Sequence, residues 1–423
     1  MRFRELGGWL AWQQAAHPVE IDPGLERVGA AWRRLRLPFA ATVLTVGGTN
    51  GKGSTAAYLD AILRAAGYET GLFTSPHLVR YQERIRVRGR EVADDVLLDA
   101  FAEIDRARGD ISLTFFEWST LAALVTFARA NVDVAVLEVG MGGRLDAVNV
   151  VDADVALVTS IDLDHCEWLG RDRETIGREK AGIFRAARPA IFGSREMPAS
   201  IGEYARQIGA DLRQLGRDFD WVRTGEHWTW RGKHGELGGE QRDLPPPALY
   251  GQTQYDNAAA VLAVLDTLGS RLPVPRSAIE RGLQTVTLPG RFQIIRRSEP
   301  QPIEWVLDVA HNPAAARTLA AQLAASDRKE RRIAVCGVLN DKDIEGIVGE
   351  LRNSFDLWVV VGLQGPRALT PNALAERLRS VGVRVEAVAA DVVAGCLAAQ
   401  ALAGAGDRIV VFGSFLTVAD AYG

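Results

Sequence analysis

Gly47-Gly48-Thr49-Asn50-Gly51-Lys52-Gly53-Ser54-Thr55 follows the short apolar run Thr42–Val46 and leads into the amphipathic stretch Thr55–Ala66. A β-rich run, a glycine-rich turn and a helix, in that order, is what a polyphosphate needs. Glycines let backbone N–H groups approach the oxygens, a helix N-terminus is electropositive, and Lys52 adds a full positive charge. The literal pattern G-x-x-x-x-G-K-[ST] is not met, because Gly53 intervenes after the lysine and the first glycine is displaced. A glycine-rich turn alone is as often structural as functional. Lysine and two hydroxyls between a strand and a helix point to nucleotide binding.

Outward from this loop the chain alternates. Val134–Val139, Val155–Thr159, Ile333–Val335 and Trp358–Val361 read as strands. Between them lie expected helices at Val92–Arg108, Trp118–Arg129 and Asp256–Leu268, and one opened by a capping box of Ser277 and Glu280. Near-continuous apolar strands suit a mostly parallel sheet covered on both faces, an α/β class. Leu212–Gly239 breaks the rhythm: alternation of Trp221, Trp228 and Trp230 with Gly235 and Gly238-Gly239 predicts inserted antiparallel hairpins. Thr287-Leu288-Pro289-Gly290 marks a break, after which alternation restarts at Glu304–Asp308. The expected domains are 1–288, a linker 289–297, and 298–423.

Composition narrows the class. With 423 residues, 49 Lys plus Arg against 53 Asp plus Glu, and a net charge of −4, there is no basic footprint for nucleic acid or an anionic membrane. No apolar run approaches the roughly 18 residues of a membrane span, and Met1–His17 is too polar for a signal-peptide core. Cys166, Cys336 and Cys396 have neither disulfide parity nor metal-ligand spacing. The expectation is a cytoplasmic enzyme, a monomer by default.

Further segments carry a family resemblance. They are Ser75-Pro76-His77-Leu78, Glu83-Arg84-Ile85, Leu137-Glu138-Val139-Gly140 with Gly142-Gly143-Arg144-Leu145-Asp146, and Leu163-Asp164-His165. Arg178-Glu179-Lys180-Ala181-Gly182, Pro289-Gly290-Arg291-Phe292, Asp308-Val309-Ala310-His311-Asn312-Pro313, Asp341-Lys342-Asp343 and Gly413-Ser414-Phe415 follow in order. With the loop, they resemble the folylpolyglutamate synthases, relatives of the Mur ligases, and most nearly the bacterial bifunctional dihydrofolate/folylpolyglutamate synthases. The likeness runs from Ile21 to Val418. Departures are Asp162, Cys166, Val148 and Leu416, none of them assigned to chemistry.

The resemblance implies a large N-terminal P-loop-type ATPase domain with a β-rich insertion and a smaller Rossmann-like C-terminal domain. It implies ATP-dependent joining of a carboxylate to the amine of L-glutamate through an acyl phosphate, with Mg²⁺, two ions in the expected form. Thr49, Asn50, Gly51, Lys52, Gly53 and Ser54 would hold ATP with Asn257, Arg291 and Asp308, and the arginine would reach the phosphates on domain closure. Ser75, Glu138 and His165 would hold metal, although from the residues alone Glu138 is as readily a salt-bridging edge carboxylate. Catalytic roles would fall to Lys52, His311 and Lys180, the last carbamylated by CO₂ as a further metal ligand. On its own Lys180 reads as a surface lysine, and Asp308 and His311 as a helix cap. Ile21, Asp22 and Pro23, Thr114, Phe115, Phe116 and Glu117, and Leu145, Asp146 and Ala147 resemble the three stretches that bind dihydropteroate. An aromatic pair can stack on a flat pterin and Asp can bond its nitrogens, though a Phe pair is more commonly core. The implied substrates are dihydropteroate and reduced folates. The rivals are chain extension alone, a Mur-type ligase of a UDP-sugar peptide, expected to carry a further domain before the loop, and a non-catalytic nucleotide switch.

Overall fold

A computed structural model describes residues 2–233, 237, 239–297, 302–326, 331–365 and 367–422. It divides into two compact units: Met1–Ala248 with Gln254–Val286, and Leu249–Thr253 with Thr287–Gly423.

In the first unit the strands are β1 (Thr42–Gly47), β2 (Thr70–Phe73), β3 (Ile85–Val87), β4 (Arg90–Glu91), β5 (Val134–Glu138), β6 (Val155–Val158), β7 (Pro189–Phe192) and β8 (Asp211–Gln214). Their order is β4-β3-β2-β5-β1-β6-β7-β8, parallel from β2 to β8 and antiparallel where β3 pairs with β2 and with β4. The central strands β1, β5 and β6 are buried almost throughout, as apolar runs between two helical layers must be. Burial of Trp9, Phe101 and Trp118 extends the core under the N-terminal helix Leu6–Ala15.

The expected hairpin insertion is present with shifted bounds. β9 (Phe219–Thr224), β10 (His227–Gly232) and β11 (Glu240–Leu244) form a separate antiparallel sheet. The start of the expected segment instead joins the main sheet as β8. Gly235 and Gly238 lie outside the described residues. The Ser277 capping box does not form: the chain enters its helix at Arg276 after Pro275, and Glu280 pairs with Arg276 at 2.7 Å.

The second unit contains β12 (Gln293–Arg297), β13 (Ile303–Asp308), β14 (Arg332–Cys336), β15 (Leu357–Val361), β16 (Val385–Ala389) and β17 (Arg408–Phe412), in the order β12-β13-β17-β14-β15-β16. All pairs are parallel but β12–β13. The expected linker 289–297 is therefore corrected: most of it is an edge strand of this sheet. Position 298, the expected domain start, is outside the described residues. The detour Leu249–Thr253 belongs to this unit because Tyr250 stacks on Phe292 at 4.5 Å and its carbonyl accepts from Gln322 at 2.7 Å.

Candidate active site

The phosphate loop leaves the carboxyl end of β1, in the sheet centre where open α/β proteins bind ligands. The helix starts at Lys52, three residues before the expected start, so Gly53, Ser54 and Thr55 lie in its first turn. Gly48, at φ +134°, would place a Cβ 1.9 Å from Thr159 Oγ1; Gly51, at φ +89°, would place one 2.7 Å from Asn257 Oδ1. Only glycine fits either conformation and space. Thr49 is fixed by its N–H to the Ser160 carbonyl (2.7 Å) and its hydroxyl to the Asp162 carbonyl (3.1 Å). Thr159 Oγ1 donates to the Asn50 carbonyl at 2.6 Å. The loop is thus held by the residues that follow β6, and Asn257 leaves no room for a side chain at Gly51.

Two lysines converge here. Lys52 Nζ donates to the Gly48 and Thr49 carbonyls, each at 3.1 Å, and Lys180 Nζ donates to the Gly48 carbonyl at 3.0 Å. Lys180 is a buried residue, not the surface lysine its composition suggested. Burial first, then the Lys52 charge, lowers its pKa to about 7; Asp164, Asp146 and Glu179 oppose the shift. Its helix, Arg173–Ala181, is pressed against the Gly143 backbone, where a Cβ would meet the Lys180 carbonyl at 2.7 Å.

Glu138 ends β5 opposite Val46 and is buried. It accepts from the Ser75 N–H at 3.1 Å, which brings two of the expected metal residues together. His165 has φ +52° and precedes the short helix Cys166–Leu169. Among the described residues no group of three His, Cys, Asp or Glu could hold a metal, and the expected set draws two members from a hydroxyl and a lysine. A buried carboxylate beside a phosphate loop fits a hard divalent cation.

The three expected pterin stretches also meet in this unit. Gly24 N–H donates to the Leu145 carbonyl at 3.2 Å, and Arg27 pairs with Asp22 at 2.6 Å and Glu117 at 3.3 Å. Thr114 and Glu117 form a reciprocal capping box at the start of Phe115–Ala130. Phe115 packs edge-on against Tyr81, and Phe116 lies 5.9 Å from Phe73; both are half-buried rather than lost in the core. Asp146 accepts from Met141 N–H (2.9 Å) and Val148 N–H (3.0 Å), and burial raises its pKa to about 6. Ile21, Pro23 and Ala147 flank these groups in sequence. Arg84 escaped a role in the sequence reading. It is buried between Tyr81 and Phe115, donates to His77 Nδ1 at 2.7 Å and is attracted to Glu138.

In the second unit Asp308 accepts from Phe292 N–H and Ala310 N–H, both at 2.8 Å; burial raises its pKa, against Arg291 and His311. His311 Nδ1 meets the Val309 carbonyl at 2.8 Å, and its ring and the Arg291 guanidinium lie 6.0 and 5.2 Å from the Phe415 ring. The cap of helix Pro313–Ala325 is Asn312, so Asp308 and His311 are not spent on capping.

Loop and sheet geometry define a nucleotide-phosphate site on an open, mainly parallel sheet, and comparison with known proteins gives the class, an ATP-dependent ligase of the Mur type. The Mur ligase middle domain matches residues 46–201, and the Mur ligase glutamate ligase domain matches residues 290–415. Dihydrofolate synthase/folylpolyglutamate synthase of Escherichia coli (strain K12) is 48% identical over 415 residues, covering 98% of this chain and 94% of the relative. The Haemophilus influenzae protein of that name is 39% identical over 431 residues, covering 98% and 96%. The solved structure of E. coli FolC with DHPP and ADP gives a TM-score of 0.93 at 46% identity over 100% of this chain and 98% of that one. A bifunctional folylpolyglutamate synthase/dihydrofolate synthase with Mn, AMPPNP and L-glutamate bound gives 0.90 at 42% identity, covering 100% and 98%. The chain belongs to the dihydrofolate synthase/folylpolyglutamate synthase family.

Proposed function

We propose that this enzyme adds L-glutamate to 7,8-dihydropteroate and, in a second activity, to reduced folylglutamates through the γ-carboxyl. A carboxylate is a poor acyl donor, so ATP converts it to an acyl phosphate, which the glutamate amine attacks with loss of phosphate. Phosphoryl transfer needs positioning and charge neutralisation more than covalent help. Lys52, the loop amides and Asn257 are suited to bind and orient the ATP phosphates. Arg291, Asp308 and His311 are assigned to the same reaction, Asp308 at the ribose and His311 near phosphate and glutamate. Mg²⁺, when bound, neutralises phosphate charge; Ser75, Glu138, His165 and Lys180 would hold it. Dihydropteroate is assigned to the stretches around Asp22, Phe115–Phe116 and Asp146. The reading includes a cytoplasmic monomer acting on small molecules, without nucleic acid or membrane.

The observation that carries the site reading is the meeting of Lys52 and Lys180 on one carbonyl. Two ammonium groups there repel, and the buried lysine is the one pushed toward its neutral form. A neutral amine can add its lone pair to CO₂ and release a proton, giving an anionic carbamate whose oxygens suit Mg²⁺. Lys180 is therefore assigned as the carbamylated residue. Separate assays of ATP turnover with dihydropteroate and with tetrahydrofolate, each with and without glutamate, test bifunctionality. Turnover with tetrahydrofolate alone would reduce the proposal to chain extension.

A further inference from the structure

We infer that His17 is a positioning residue that confers dihydropteroate selectivity by orienting Asp22; the inference rests on the assignment of the Asp22 stretch to dihydropteroate. His17 follows the N-terminal helix Leu6–Ala15, and its side chain is 9% exposed. One ring nitrogen, Nδ1, lies 2.8 Å from Ser112 Oγ, whose hydroxyl also reaches the Ala16 carbonyl at 3.1 Å. The other, Nε2, lies 3.1 Å from Asp22 Oδ2 and donates to it, since an ionised carboxylate is acceptor only. The same oxygen is taken by Arg27 at 2.6 Å, and Arg27 Nη2 donates to the Asp22 backbone carbonyl at 2.5 Å.

The imidazole and the guanidinium thus converge on one carboxylate oxygen. No hydrogen bond reaches Asp22 Oδ1 among the described residues, and the side chain is 37% exposed. A carboxylate clamped through one oxygen has its other oxygen fixed in direction, as a group that must meet a flat heterocycle's N–H donors requires. Arg27 alone is a weaker clamp, because it also serves Glu117 at 3.3 Å. His17 anchors the pair to Ser112, just before the Thr114–Glu117 capping box, and so ties the first pterin stretch to the second. Its partners Asp22 and Ser112 belong to neither the phosphate loop nor the assigned metal residues. Loss of His17 is therefore expected to leave phosphate handling intact.

The test compares KM and kcat for dihydropteroate and for tetrahydrofolate in the wild type, His17→Ala, His17→Gln, Asp22→Ala and the double variant His17→Ala/Asp22→Ala. The expected result is a roughly tenfold higher dihydropteroate KM in His17→Ala, the size of one charge-assisted hydrogen bond, with kcat and the tetrahydrofolate parameters within about twofold. His17→Gln, which keeps a donor at the Nε2 position, should recover most of the loss. The double variant should be no worse than Asp22→Ala. Retained tetrahydrofolate turnover reports a folded chain in the same sample. If Asp22→Ala selectively raises the dihydropteroate KM but His17→Ala does not, the positioning role is overturned and the assignment of the stretch stands. If Asp22→Ala affects both substrates equally, the assignment itself fails, and the inference with it. Equal loss for both substrates in His17→Ala, unrescued by Gln, makes His17 a structural residue and also overturns the inference.

Discussion

Replacing Lys180 by Met should abolish both ligations and alter stability in a pH-dependent way. Moving a lysine from its usual 10.5 to about 7 by burial and the Lys52 charge corresponds to roughly 5 kcal/mol between its two protonation states. The unfolded chain binds this proton up to about 10.5 and the folded chain only up to about 7. Between those values the unfolded state therefore holds more protons, and stability rises with pH. The penalty is complete below about 7 and is relieved as pH approaches 10.5. Integrating the linkage relation, the wild type should gain roughly 2–3 kcal/mol more than Lys180→Met between pH 8 and pH 10. The assay is urea unfolding of the first unit's transition in CO₂-free buffer at several pH values, both proteins in parallel. Superimposable pH profiles would mean that Lys180 is an ordinary ammonium, and carbamate formation would lose its physical basis. With ¹³C-bicarbonate at pH 8, the wild type should show a carbamate resonance that the variant lacks.

Other substitutions test the remaining parts of the site. Lys52→Ala should lower both activities at least about a hundredfold, the scale of one preorganised charge stabiliser, with the melting transition retained; a near-normal rate would remove the lysine from phosphate binding. Glu138→Gln keeps the shape but removes a metal charge, so activity should fall severely and the Mg²⁺ requirement rise, as a magnesium titration would read. Gly48→Ala forces a side chain into Thr159 at φ +134°, and about 1–3 kcal/mol of backbone strain adds to the clash; denaturation and nucleotide titration should show both stability and ATP affinity lowered. Asp146 titrates near 6 rather than 3.8. Its raised value means folding loses stability as pH climbs from about 4 to 6. If its carboxylate meets the pterin, dihydropteroate affinity should fall below pH 6, by up to about tenfold per unit, and Asp146→Asn should flatten that profile.

The phosphate loop was legible because strand, turn and helix are contiguous, and its parts act on one another within nine residues. The central strands were legible for the same reason: β1, β5 and β6 are apolar runs whose ends fall within a residue of the expected bounds. What the pattern missed depends on distant partners. β12 read as a linker because its strand character is completed only by pairing with β13. Ser277 read as a cap because the spacing to Glu280 was right, but Pro275 sets the helix start earlier and Arg276 takes the glutamate. Lys180 read as a surface residue because nothing local reveals that its nitrogen reaches Gly48, a residue 132 positions away. The His17–Asp22–Arg27–Glu117 chain had no local signal either, since Glu117 lies 90 residues from Arg27. Family resemblance supplied the roles of Ser75, Glu138 and His165, whose residue types alone were ambiguous.

The most direct test of the central claim follows an oxygen atom. Dihydropteroate labelled with oxygen-18 in its carboxylate is incubated with the enzyme, ATP, Mg²⁺ and glutamate, and the released phosphate and the pterin product are analysed by mass spectrometry. An acyl phosphate transfers one carboxylate oxygen to phosphate when the amine attacks, so each glutamylated product should be matched by one phosphate bearing a single label. Glutamylated product accompanied by unlabelled phosphate would contradict the mechanism, and labelled or unlabelled phosphate released at full rate without glutamate would contradict the ligase itself.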